Sequence, residues 1–198
     1  MLANLLKGKK VVLASASPRR KEIFKNIGMK PLYIPANIDE VMFDLPPYKL
    51  VMKHSLSKAK EVAQHLDRKC IVIGADTIVY LDGKILGKPS SKYQAFDYLE
   101  KLSGKKHTVY TGVTICYKNH VSSFFEKTIV EFDELSQFEI DSYVETGESF
   151  DKAGAYAIQG FGSQFIKKIT GCYFNVMGFP INRFSREIKK ILRKDGEL

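Results

Sequence analysis

Two hydroxyls and two guanidinium groups crowd the stretch Leu13-Ala14-Ser15-Ala16-Ser17-Pro18-Arg19-Arg20. It follows the apolar run Val11-Val12-Leu13 and precedes a helical pattern that Gly28 ends. Ser17 is a residue type that caps helices, and Pro18 suits the first turn, where its missing N–H costs nothing. A strand, a turn and a helix start would thus gather Ser15, Ser17, free N–H groups, a positive dipole end and the forks of Arg19 and Arg20. That chemistry binds an anion, and a phosphate is its natural occupant. The same residues also suit an ordinary strand-turn-helix with a solvated arginine pair.

Asp76 is the second chemical anchor. It follows Ile71-Val72-Ile73-Gly74-Ala75, which reads as a central strand. Ligands of α/β sheets bind beyond the carboxyl ends of strands, so Ser15 and Asp76, each read as closing a strand, could face one crevice. A carboxylate opposite a phosphate makes sense if a divalent cation lies between them or if it activates a water. Magnesium is held by one or two carboxylates plus substrate phosphate oxygens. Glu40, in an acidic loop with Asp39 and Asp44, is the candidate second ligand. A turn-capping aspartate and a solvated loop glutamate are the alternatives.

Lys58 and Lys60 stand two apart on a predicted helix and point in different directions, so at most one reaches the crevice. Lys88 precedes Pro89, which holds it extended, and could touch a triphosphate tail. In Asp151-Lys152-Ala153-Gly154-Ala155-Tyr156-Ala157-Ile158-Gln159-Gly160, small residues suggest a backbone that passes close to something. Gln159 offers a donor and an acceptor, which match the edge of a uracil-type base. A glycine-rich β-loop with an exposed glutamine is the alternative.

The elements that must position these groups alternate. A strand near 10–15 leads into a helix over 18–27, then a short strand over 31–35. A helix over 48–66 carries the apolar stripe Met52, Leu56, Ala59, Ala63 and Leu66. A strand over 70–75 follows, and Asp82-Gly83 signals a hairpin between 77–81 and 84–86. A helix over 91–102 stops at Gly104. Long β-rich segments over 107–117 and 121–132 flank Asn119-His120. Ser136-Gln137-Phe138-Glu139 is a capping box for a helix that ends at Gly147. A third hairpin is read over 164–169 and 173–176, and a basic amphipathic helix over 180–193. This order predicts an α/β fold with a mixed sheet, elaborated into two lobes with a cleft.

Composition narrows the classes. The 198 residues are 44% hydrophobic and 27% charged, enough for a core without staples. Cys70, Cys116 and Cys172 lack CxxC spacing, which fits buried thiols in a reducing compartment. No apolar run approaches a membrane span, and the first ten residues are too short and poorly ordered for a secretory signal. The expected location is therefore the cytoplasm. The net charge of +9 is spread along the chain and lacks an arginine-rich arm or finger spacing. It suits phosphorylated metabolites better than nucleic acid.

The anchors, in this order, resemble the Maf proteins, which are nucleoside triphosphate pyrophosphatases. The matching stretches are Leu13–Arg20, Ile38–Glu40, Ser57–Lys60, Gly74–Val79, Gly87–Pro89, Leu102–Gly104, Asp151–Gly160 and Val176–Pro180. The resemblance implies one Maf-like domain over 1–198, with its core at about 9–193. It implies an elongated mixed sheet flanked by helices, with two lobes and a central cleft, as in inosine triphosphate pyrophosphatases (the Maf/Ham1 fold). It further implies Mg²⁺ (or another divalent cation such as Mn²⁺) and a homodimer. By resemblance Asp76 is the catalytic acid/base and a metal ligand with Glu40, while Ser15, Ser17, Arg19, Lys58 and Lys88 contact phosphate. Arg20, Thr77 and Gln159 resemble the specificity residues of the subfamily that acts on dTTP and UTP. Hydrolysis of these, and of modified pyrimidine nucleotides, to monophosphate and pyrophosphate is the implied activity. A nucleotide- or nucleic-acid-binding regulator without hydrolysis is the rival, motivated by the net charge and the basic helix.

Overall fold

The computed structural model describes residues 1–41 and 43–198. Seven strands form one mixed sheet: β1 (Val11–Ala14), β2 (Leu32–Tyr33), β3 (Ile71–Leu81), β4 (Lys84–Leu86), β5 (Lys106–Tyr117), β6 (His120–Phe132) and β7 (Ile166–Thr170). Their order is β2-β1-β3-β5-β6-β7, with β4 paired on β3. The helices are α1 (Leu2–Leu5), α2 (Pro18–Asn26), α3 (Pro47–Ala63), α4 (Lys92–Leu102), α5 (Gln137–Glu145), α6 (Tyr173–Val176) and α7 (Ile181–Lys194). Short 3₁₀ turns cover Ala153–Ala155 and Gly160–Phe165. Among the described residues no helix is long and apolar enough to cross a membrane.

The chain groups into two compact units. The first comprises Met1–Asp76, Thr111–Glu126 and Gly178–Leu198; the second comprises Thr77–Tyr110 and Lys127–Met177.

In the first unit β1 is parallel to both β2 and β3, with Ala14 opposite Gly74. All four residues of β1 are buried, as expected of a strand covered on both faces. Ala59 and Val62 of α3 pack with Val12, Ala14 and Val72. Two glycines set how closely α3 lies on the sheet. A Cβ on Gly74 would stand 2.2 Å from the Ser55 carbonyl oxygen, and one on Gly112 2.3 Å from that of Val51. Only residues without side chains let helix and strand backbones come this near. Phe24 of α2, Phe179 and Phe184 of α7 close the unit in an aromatic cluster, with centroids 4.9 Å apart for Phe24–Phe179 and 5.2 Å for Phe179–Phe184.

The second unit has its own core, in which Val79, Leu99, Leu102, Val109, Phe132, Tyr143 and Phe165 are buried together. Ser136 and Glu139 form the reciprocal capping box that starts α5. Asp82 and Gly83, both at positive φ, turn β3 into β4, as a two-residue hairpin requires.

Several expectations change. Asp76 does not close a strand, because β3 runs on without a break from Ile71 to Leu81. The stripe of α3 is displaced: Val51, His54, Ser55, Ala59 and Val62 are buried, while Met52, Leu56, Ala63 and Leu66 are only half-buried. The sheet meets α3 where Gly74 and Gly112 leave room, and that contact outweighs the apolar count. The turn between β5 and β6 is Lys118-Asn119, with Lys118 at φ +51. Tyr173–Val176 is a helical turn, so β7 finds its antiparallel partner in β6 instead of a third hairpin.

Candidate functional site

Five side chains of the first unit, Ser15, Arg20, Glu40, His54 and Lys58, form a connected cluster with Asp76. The parallel pairing of Ala14 with Gly74 sets the end of β1 beside the middle of β3. Chain direction then carries Ser15 into the turn before α2, and Asp76 two residues past the paired glycine. Ser17 occupies the N-cap of α2 and Pro18 the first turn, but no side-chain cap forms. Instead the Ser15 Oγ accepts from the Ser17 N–H at 3.2 Å and from Arg20 Nη1 at 2.9 Å.

Arg20 is buried, not solvated. Its Nε donates to the carbonyl of Gly178 at 2.8 Å, which joins two stretches that are far apart in sequence. Burial lowers its pKa to about 10, against the attraction of Asp76. Arg19 is half-buried.

Asp76 is 5% exposed. Lys58 Nζ lies 2.7 Å from Asp76 Oδ1 and 2.7 Å from Glu40 Oε1, so one ammonium bridges the two carboxylates. Lys60 is exposed, which settles which of the pair reaches the site. His54 Nδ1 lies 3.1 Å from Asp76 Oδ2, and its Nε2 lies 2.9 Å from the carbonyl oxygen of Val41. Burial is the largest single influence on Asp76 and opposes its ionisation. The hydrogen bond from His54, then Lys58 and Arg20, together outweigh it and hold the carboxyl below its ordinary range. The Asp76 hydrogen bond likewise raises His54 despite burial.

His54 was missed in the sequence. Its signal was spacing: His54 and Lys58 are four apart, one turn of helix, and so share a face. Close seating of α3 on Gly74 then delivers both to Asp76.

Glu40 and Asp76 can hold a divalent cation. Two hard oxygen donors already converge on one cationic atom, Lys58 Nζ. Among the described residues no group of three or more His, Cys, Asp or Glu forms a metal cage. Two carboxylates suit a magnesium-type ion whose remaining ligands are phosphate oxygens and water.

Thr77, Lys88 and Gln159 belong to the second unit. Lys88 is exposed just after β4, and Thr77 is half-buried within β3. Gly154 N–H donates to the Gly87 carbonyl at 3.0 Å, which ties the Lys88 segment to the one that bears Gln159. Gln159 is half-buried at the start of the 3₁₀ turn Gly160–Phe165, so this stretch is a pair of tight turns and not the alternative β-loop with an exposed glutamine.

Several similar proteins carry the name dTTP/UTP pyrophosphatase, among them three of different genera. That of Caldicellulosiruptor saccharolyticus is 47% identical over 92% of this chain and 95% of its own length. That of Thermoanaerobacter sp. is 46% identical over 91% of this chain and 96% of its own. That of Bacillus anthracis is 46% identical over 92% of this chain and 95% of its own. Among solved structures, a HAM1 protein from Coxiella burnetii aligns with 94% of this chain and 99% of its own at a TM-score of 0.48 and 11% identity. The family model described as Maf-like protein matches residues 10–191, and with identities this high over nearly the whole length, the chain belongs to the Maf-like protein family.

Proposed function

We propose that this chain hydrolyses dTTP and UTP to the nucleoside monophosphate and pyrophosphate at the site built around Asp76. The observation that carries the reading is the Lys58 ammonium, poised between Asp76 and Glu40, with the positive charge of Arg20 also acting on Asp76. An incoming triphosphate supplies oxygens that compete for this ammonium. Lys58 can then pass from carboxylate to phosphate and offset the charge that builds on the departing pyrophosphate.

Ser15 already accepts two hydrogen bonds at Oγ, which leaves its O–H to donate to a phosphate oxygen. By the family resemblance, Ser17, Arg19 and Lys88 are assigned to the phosphates, and Arg20, Thr77 and Gln159 to the choice of base. Asp76, held ionised, keeps lone pairs on both oxygens beyond those facing Lys58 and His54. It orients a water against the α-phosphorus and takes its proton as the new P–O bond forms. The bond from the α-phosphorus to the bridging oxygen breaks, and its electrons leave with pyrophosphate. A Mg²⁺ or Mn²⁺ ion on Asp76 and Glu40 would supply charge neutralisation on the phosphates and a more acidic bound water.

The family resemblance supports a homodimer, and the three free cysteines support a reducing compartment such as the cytoplasm. Binding without hydrolysis is less well supported. Arg183 and Lys190 of α7 both turn onto Glu187, at 2.9 and 3.0 Å, which takes two cations out of any phosphate-tracking stripe.

A panel of dTTP, UTP, CTP, GTP and ATP with Mg²⁺, resolved for pyrophosphate against phosphate, tests the reading. Release of pyrophosphate with dTMP and UMP is expected. Release of phosphate with diphosphates, or no turnover of any triphosphate, would overturn it.

A further inference from the structure

Glu148, three residues beyond α5, uses its carboxylate to hold the turn that follows Gln159. Its Oε2 accepts from the Phe161 N–H at 3.0 Å. Its Oε1 accepts from the Gly162 N–H at 3.0 Å and from the Tyr143 hydroxyl at 3.1 Å. Hydrogen bonds to an ionised acceptor are stronger than neutral ones, and two of these fix consecutive backbone amides.

Gly160 makes the contact possible. It sits at φ +73, and a Cβ there would stand 2.4 Å from Glu148 Oε2. The turn is therefore fitted to this carboxylate by its geometry, not merely near it. The segment before it is held in costly conformations: Asp151 and the buried Ala155 lie at φ +63 and +61. Non-glycine residues persist there only when their surroundings over-determine them, and such strain gathers at functional segments.

Gln159 has extended backbone immediately before this turn, with φ −114 and ψ 163. A glutamine amide is nearly symmetric in shape, with a donor at one corner and an acceptor at the other. It tells a uracil or thymine edge from a cytosine edge only if the chain brings it to the base in one place, where one of its two flip orientations fits. We propose that Glu148 is a positioning residue for base selection, which holds the Gly160–Gly162 backbone so that Gln159 meets the pyrimidine edge in one place. This rests on the reading of Gln159 as the base-contacting residue.

The test is the ratio of kcat/KM for dTTP over CTP in the wild type, Glu148→Gln, Gln159→Ala and the double variant. Glu148→Gln turns an NH₂ group towards a backbone N–H. It should lower the ratio about tenfold, mainly through KM for dTTP, since a displaced polar contact loses discrimination sharply. Gln159→Ala should lower it at least as much, and the double variant no further, because both changes act on one interaction. Equal losses for dTTP and CTP in Glu148→Gln, or single effects that multiply in the double variant, would overturn the proposal. An unmoved ratio in Gln159→Ala overturns the base-reading assignment beneath it, and that arm alone separates the two failures. If Glu148→Gln does not fold, Gly160→Ala disturbs the same contact and should shift the ratio likewise; an unshifted ratio there overturns the proposal.

Discussion

Gly74 and Ser55 touch backbone to backbone: a Cβ on Gly74 would stand 2.2 Å from the Ser55 carbonyl oxygen and 2.7 Å from the Ala59 nitrogen. This seating aims His54 and Lys58, on the same turns of α3, at Asp76, two residues along β3. The arrangement of His54 and Lys58 around Asp76 thus depends on an atom that Gly74 lacks.

Gly74→Ala should consequently damage stability and site together. Overpacking against two backbones costs on the order of 1–3 kcal/mol. For a chain of this length each kcal/mol moves Tm by about 2–4 °C. Calorimetry and turnover should both fall; a variant with the wild-type Tm and activity would show that α3 can move away freely.

Asp76→Asn should fold and lose turnover. An amide in place of the carboxylate still accepts at one corner but cannot take the proton from water. The expected loss in kcat is about 10²–10⁴-fold, the range for removing general acid–base help. Retained circular dichroism with undiminished dTTP hydrolysis would remove Asp76 from the mechanism.

Lys58→Met keeps the stem and deletes the ammonium that bridges Glu40 and Asp76. The two carboxylates then face each other without the cation that Asp76 needs while buried. We expect KM for the triphosphate to rise and kcat to fall. The Mn²⁺ affinity of the free protein, measured by electron paramagnetic resonance, should rise, since an ammonium no longer competes. Unaltered Mn²⁺ affinity would place the cation elsewhere.

His107 gives a pH signature within the second unit. It is 2% exposed, its Nε2 lies 2.7 Å from the Tyr156 hydroxyl, and its Nδ1 has no hydrogen-bond partner among the described residues. Burial lowers its pKa from 6.5 to about 4. Between these values the unfolded chain takes up a proton that the folded chain refuses. Stability therefore falls as pH drops from about 6.5 to about 4 and levels off below, by on the order of 3 kcal/mol for this group. The difference between wild type and His107→Asn in urea unfolding at stepped pH should shrink over that window, and a constant difference would contradict the assignment.

Element types were legible along most of the chain. Local chemistry decides them: Pro18 at a first turn, the Ser136–Glu139 box and Asp82-Gly83 specify their own backbone whatever surrounds them. The strand-turn-helix around Ser15–Arg20 was legible for the same reason, and its residue types, like Asp76, suggested a chemistry to look for. The stripe of α3 was not. Counting apolar residues chose Met52 and Leu56, whereas the buried face follows the two glycines that admit the helix.

Tertiary structure also decided which groups share a site. Spacing alone left Lys58 and Lys60 equivalent until the family resemblance favoured Lys58, and neither gave a role to His54 or Glu148. The length of β3 was misjudged because a buried aspartate looks like a strand end until a lysine and a histidine from another element neutralise it. Periodicity and capping act within a few residues, so one chain segment carries them. A charge can be buried mid-strand only by partners that folding brings from far away, and that is information no single segment holds.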